Sequence, residues 1–234
     1  MKSMFALLCV LGLAGCATGK QNPASTINDD ELLRKGTALV ANGSAQRAIN
    51  EYFNPIIERC NTQKANYKGK IYAARNQVET IFYLGLAGAE NVDAQVISAT
   101  CPEALFMKAY SSFDLGQLEN AIRFLNEALE WSPLNANYLA ELGNIYQTQR
   151  DWNTALEKYS LAEDYALTYS PESIRTRELA RAKRGVGFVL IELGRLDEAE
   201  KKFKECLELD KNDKNALNEL EYIKQLKSKD KKAS

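Results

Sequence analysis

Cysteine supplies the most reactive side chains of this sequence, at Cys9, Cys16, Cys60, Cys101 and Cys206. A thiol can be acylated, can pair into a disulfide, or can attack as a thiolate when a neighbouring base activates it. The third route lacks its usual partner, because the 234 residues contain no histidine. That absence excludes Ser-His-Asp and Cys-His nucleophile pairs and every His-ligated metal site. It also removes the side chain used most often for acid–base chemistry near neutral pH. No Gly-x-Ser-x-Gly, phosphate loop or Cys-x-x-Cys occurs. Gly185-Val186-Gly187 has neither a strand before it nor a third glycine after it, and reads as a close-packed helix face. Glu127, Glu130, Glu205 and Glu208 recur at helical spacing, as a solvated outer face does, and form no acid–base pair. No catalytic residue, cofactor or metal is expected, and the chain reads as a non-enzyme.

The charge balance, 30 Lys and Arg against 31 Asp and Glu, is wrong for a nucleic-acid binder, which is usually basic. An apolar content of 45% with 26% charged residues of mixed sign fits a folded chain with a core. The cysteines fall in different settings. Met1-Lys2-Ser3 opens the sequence, an apolar run follows from Met4 to Ala14, and Gly15-Cys16 closes it. At about 1.5 Å per residue that run covers roughly half of a ~30 Å hydrocarbon core, too little to span. Leu13-Ala14-Gly15-Cys16 resembles the lipobox of bacterial lipoprotein signal peptides. The resemblance implies that residues 1–15 are removed, that Cys16 carries lipid, and that 16–28 is a lipidated flexible tether. Ala17, not aspartate, follows the acceptor cysteine, which implies sorting to the outer membrane, facing the periplasm.

From Asn28 onward apolar residues recur at three- and four-residue spacing between Gly and Asn-Pro breaks, so the body reads as all-α. Gly116-Gln117-Leu118-Glu119-Asn120-Ala121 aligns with Gly194-Arg195-Leu196-Asp197-Glu198-Ala199, and the flanks fall into step. Upstream of each turn stands a small residue (Ala109, Gly187); downstream come an apolar residue (Leu125, Phe203) and another small one (Ala128, Cys206). A middle block with Gly143, Tyr146, Ala155, Tyr159 and Ala162 fits the same template, with Arg150 at the turn. These residues resemble the tetratricopeptide repeat, a helix-turn-helix of about 34 residues. The resemblance implies a right-handed α-solenoid with copies at 102–135, 136–169 and 180–213. An insertion at 170–179 forms an extended loop or a lengthened helix, and a capping helix over 214–228 carries the stripe Leu217, Leu220, Ile223 and Leu226. Residues 229–234 are a basic tail. Residues 29–62 match in part, although Pro55 stands where a small helical residue belongs. Residues 63–101 read as a non-consensus helical hairpin through Ile71, Val78, Ile81 and Leu84, with no strand, so 29–101 comprises degenerate hairpins.

If 69–89 and 92–100 run antiparallel, Cys60 and Cys101 return to one edge, and an exported chain permits their disulfide. The alternative is two unrelated small apolar residues. Cys206 holds a small-residue repeat position and is expected as a packed free thiol. The family's first helices line a groove, which places Glu103, Phe106, Tyr110 and Phe113, then Asn137, Ala140, Asn144 and Gln147, then Arg181, Arg184, Phe188 and Ile191 along it. Amides there can bond an extended peptide backbone, and the arginines can grip a carboxylate. The expected function is a lipid-anchored scaffold or adaptor that binds a protein partner of the cell envelope and supports assembly of an envelope complex. Its membrane contact is the N-terminal lipid. The alternative occupant of the groove is a small envelope ligand such as a peptidoglycan fragment.

Overall fold

In a computed structural model of the chain the described residues are 28–233. The expectations for residues 1–27, the lipidation of Cys16 among them, lie outside that range. The side chain of Asn28 accepts bonds from the backbone N–H groups of Asp30 and Glu31 and so starts α1 (Asp29–Ala41), whose first turn is acidic. The return helix begins as α2 (Ala45–Ala48), widens through a π turn (Ile49–Phe53) and continues as α3 (Asn54–Asn66). The π turn accommodates Pro55. Proline brings no N–H to the helical ladder, and the helix widens just before it, Asn54 N–H bonding back to Ile49 O.

Three helical pairs follow: α5 (Thr100–Asp114) with α6 (Leu118–Trp131), α7 (Ala136–Thr148) with α8 (Trp152–Thr168), and α9 (Glu172–Glu192) with α10 (Leu196–Leu209). The same turn closes all of them and the first pair as well. Ser44, Gln117, Asp151 and Arg195 each donate a backbone N–H to the carbonyl five residues back, on Leu39, Ser112, Tyr146 and Leu190, at 2.8–2.9 Å. The preceding residue must be left-handed, which suits Gly43, Gly116 and Gly194; in the middle pair Arg150 adopts φ 61° instead. The helix pair over 29–66 is thus built like the other three despite its weak sequence match.

The pairs stack into an α-solenoid around two continuous cores. One runs from Val40 and Phe53 through Ala104, Leu105, Ala121 and Leu125 to Leu142 and Ile145. The other runs from Ala155 and Tyr159 through Val186 and Val189 to Phe203 and Ile223. A last helix, α11 (Lys214–Ala233), covers the end of the stack by burying Ala216 and Ile223. Leu217, expected on that buried stripe, is exposed, and the helix continues past residue 228 into the segment expected as a tail. Residues 172–179 lengthen α9, and the insertion forms no extended loop, since only Tyr169, Ser170 and Pro171 separate α8 from α9.

Residues 63–101 differ from the expected helical hairpin. They form β1 (Lys70–Ala74), α4 (Gln77–Glu90) and β2 (Ala94–Ser98), with the strands parallel and Lys70 opposite Ala94. Strand β1 is buried on both faces: Ile71 and Ala73 enter the first core, while Tyr72 and Ala74 pack under Tyr83 and Ala87 of α4. A strand covered on both sides shows no polar–apolar alternation, and five residues are too few to display a period. The apolar stripe read across this segment also faces the other way. Val78, Ile81 and Leu84 are exposed, Ile81 at 70%, whereas Tyr83 is buried.

Among the described residues, no helix is long and apolar enough to cross a membrane.

Candidate functional site

The groove is built by the first helices α5, α7 and α9 and by the cap α11, with Tyr159 of α8 and Phe203 of α10 also reaching its lining. Phe106, Met107, Tyr110, Phe113 and Asp114 of α5 enclose a cavity of about 420 Å³ with Glu141, Asn144 and Arg181. A second cavity of about 420 Å³ lies between Asn144 and Gln147 of α7, Arg181, Arg184 and Phe188 of α9, and Asn215 and Glu219 of α11. Asn144 and Arg181 border both, so the two cavities form one trough that is aromatic at one end and polar at the other.

Eight of the nine groove residues expected from sequence line this trough. Asn137 does not; its side chain accepts a bond from Arg181 Nη1 at 2.9 Å. Three neighbours of the same pattern are also withdrawn from it. Ala140 and Ile191 are buried. The carboxylate of Glu103 accepts a bond from Tyr138 Oη at 3.0 Å, while the ring of Tyr138 stacks on Phe106 with centroids 5.3 Å apart. Burial pushes the Glu103 carboxyl up, Glu178 and Glu79 add to the rise, and the Tyr138 bond and Arg75 oppose it.

The arginines do not stand as free carboxylate grips, which corrects the sequence expectation. The Arg181 guanidinium is bound by Glu141, whose side chain is only 5% exposed and also accepts from Asn144 Nδ2 at 3.3 Å. Arg184 Nη1 donates to Asp213 Oδ2 at 2.6 Å. The other oxygen of Asp213 caps α11 by accepting from Asn215 and Ala216 N–H. Burial alone would raise the Asp213 carboxyl; the Ala216 N–H and Arg184 hold it below the usual range. Each arginine is therefore a strut between helices. Sequence reading missed Met107, Asp114, Glu141, Asn215 and Glu219. Asn215 was within reach, because it holds the second position of the cap, where the repeat template already placed Glu103, Asn137 and Arg181.

Away from the groove, Cys60 of α3 and Cys101 of α5 form a disulfide with Cα atoms 5.9 Å apart. The antiparallel hairpin expected to bring them together is absent; the parallel strand pair returns the chain to α3 instead. Cys206 is free and fully buried, and burial pushes its thiol up to about 11, far from a reactive thiolate. Among the described residues, no group of three His, Cys, Asp or Glu could hold a metal ion.

Models of the tetratricopeptide repeat match residues 102–133 and 180–213, the two copies with glycine at the turn. The chain therefore carries tetratricopeptide repeats. Solved structures of similar fold include one from a functional characterization of Pseudomonas aeruginosa pilF, 13% identical, with TM-score 0.55 over 86% of this chain and 69% of that one. A MamA RS-1 ArsTM double mutant is 14% identical with TM-score 0.56, covering 88% of this chain and 89% of its own. The first TPR domain of human RPAP3 is 22% identical with TM-score 0.50, over 58% of this chain and 100% of that domain. At these identities the likeness is one of fold. No curated protein matches the chain in sequence.

Proposed function

We propose that this protein is a lipid-anchored scaffold of the bacterial cell envelope, facing the periplasm, that binds a partner protein along the trough and supports assembly of an envelope complex. The observation that carries the partner-binding part is the continuity of the trough across α5, α7, α9 and α11. Aromatic rings at one end supply area for apolar anchors. The amides of Asn144 and Gln147 at the centre can bond the backbone of an extended segment. Repeats that stack into such a surface act by shape and contact. The anchoring part rests on Leu13-Ala14-Gly15-Cys16 and the polar stretch that follows it. Several acyl chains hold a protein at a membrane where a single chain binds only reversibly.

The test is photo-cross-linking in native cells with p-benzoylphenylalanine at Tyr110, a position 40% exposed on the trough. A discrete protein adduct that disappears when Phe113→Ala and Asn144→Ala are combined is the expected result. Absence of any specific adduct, with saturable binding of purified muropeptides, would replace the scaffold reading with a small envelope ligand. Anchoring is read separately, as diacyl or triacyl mass on the peptide beginning at Cys16.

A further inference from the structure

The charges of the trough do not cancel. Arg181 is taken by Glu141 and Arg184 by Asp213, and both carboxylates are nearly buried, at 5% and 7% exposure. Each carboxylate is fixed by further bonds within the fold, so the charge of each arginine is already compensated where it stands. Two carboxylates remain. Asp114 lines the aromatic cavity and Glu219 lines the polar one. Among the described residues neither forms a salt bridge or a side-chain hydrogen bond, and no lysine lines either cavity.

We propose that the segment held in this trough is cationic and amphipathic, with apolar side chains in the Phe106–Tyr110–Phe113 cavity and lysine or arginine residues directed at Asp114 and Glu219. The inference rests on the scaffold reading and deepens it. Three further features agree. Asp114 is the last residue of α5, where the helix dipole is itself negative, so the field at that end favours a cation. The neighbouring rings of Tyr110 and Phe113 offer faces over which lysine or arginine can sit. Burial raises the Glu219 carboxyl with no cation to oppose it, a cost that a ligand's positive charge would relieve. An acidic segment or a free C-terminal carboxylate would instead meet two uncompensated negative charges and arginines already engaged.

The experiment pans a random peptide phage library on the full chain and measures the enriched sequences as synthetic peptides. Enrichment in Lys and Arg together with aromatic or aliphatic anchors is expected. Affinity should fall about tenfold in the Asp114→Lys/Glu219→Lys variant and weaken with salt as exposed ion pairs do. Circular dichroism checks that this variant keeps its fold. Enriched peptides that are neutral or acidic, yet lose binding with Tyr110→Ala/Asn144→Ala, would overturn the charge assignment and leave the trough as a binding site. Peptides indifferent to Tyr110→Ala/Asn144→Ala would overturn the trough reading and, with it, this proposal.

Discussion

Gly187 of α9 lies so close to Phe203 of α10 that a Cβ at 187 would meet the ring at 2.8 Å. Gly143 and Tyr159 stand in the same relation, also at 2.8 Å, and the Tyr159 ring further presses on Gly185 of the next pair. One small residue and one ring thus set the spacing inside a repeat and between repeats. Gly187→Ala should cost about 1–3 kcal/mol by overpacking, because Phe203 is fully buried and has nowhere to move. Gly88 of α4 is the counter-case, with nothing within 4 Å of an added Cβ. Gly88→Ala should gain about 0.5–1 kcal/mol from chain entropy. Urea unfolding of both variants measures the contrast.

Reduction of the Cys60–Cys101 disulfide should lower stability by about 2–4 kcal/mol, given a loop of 41 residues closed by the bond. The expected observation is a fall in Tm with reductant that a Cys60→Ser/Cys101→Ser protein does not repeat. Cys206 should resist alkylation until the chain unfolds, being fully buried.

Arg75, with a side chain 15% exposed, is bonded to Glu79 and Glu178, each 5% exposed. Arg75→Met would strand two buried carboxylates and should cost about 3–5 kcal/mol. Adding Glu79→Leu and Glu178→Leu should restore most of that loss, a recovery that calorimetry can follow.

Glu103 gives a pH dependence of known sign. Its folded-state carboxyl is raised by burial, so between the ordinary value and the raised one the folded state holds more protons than the unfolded. Stability therefore declines as pH rises through that window. Glu103→Gln keeps an acceptor for Tyr138 Oη and removes the titration. Its stability should match the parent near about pH 4 and exceed it at neutral pH.

The outward stripe of α4 predicts tolerance where a hydrophobic pattern would suggest the reverse. Ile81→Lys, at a site 70% exposed, should change stability by no more than about 0.5 kcal/mol. Tyr83→Ala, which removes a buried ring stacked on Tyr72 at 5.4 Å, should cost about 3–5 kcal/mol.

The repeats were readable because their rule is local: Gly116 and Gly194 mark the turns, and Ala121 and Ala199 sit at fixed distances beyond them. The strand pair was not, since Lys70–Ala74 and Ala94–Ser98 are short, β1 is covered on both faces, and Ile71 joins Val78 and Ile81 in a false helical stripe. The repeat template likewise brought eight residues to the trough but misjudged its charge. Glu141 meets Arg181 across 40 positions and Asp213 meets Arg184 across 29, and no spacing rule within one repeat reports such pairs.

Repeat stacks ordinarily couple only neighbours, so they can fray from an end or melt one unit at a time. The bond from Arg75 to Glu178 departs from that habit, because it joins positions 103 residues apart. Phe82 against Tyr169, with ring centroids 5.0 Å apart, repeats the crossing. The lengthened α9 thereby makes the opening of the last pair register in the unit that precedes α5. Such a chain should unfold in one cooperative step, with matched amide-exchange protection at both ends of the bracket. The part of the trough on α5 and α7, which lies between those ends, would keep its width on the timescale over which an unbraced solenoid breathes.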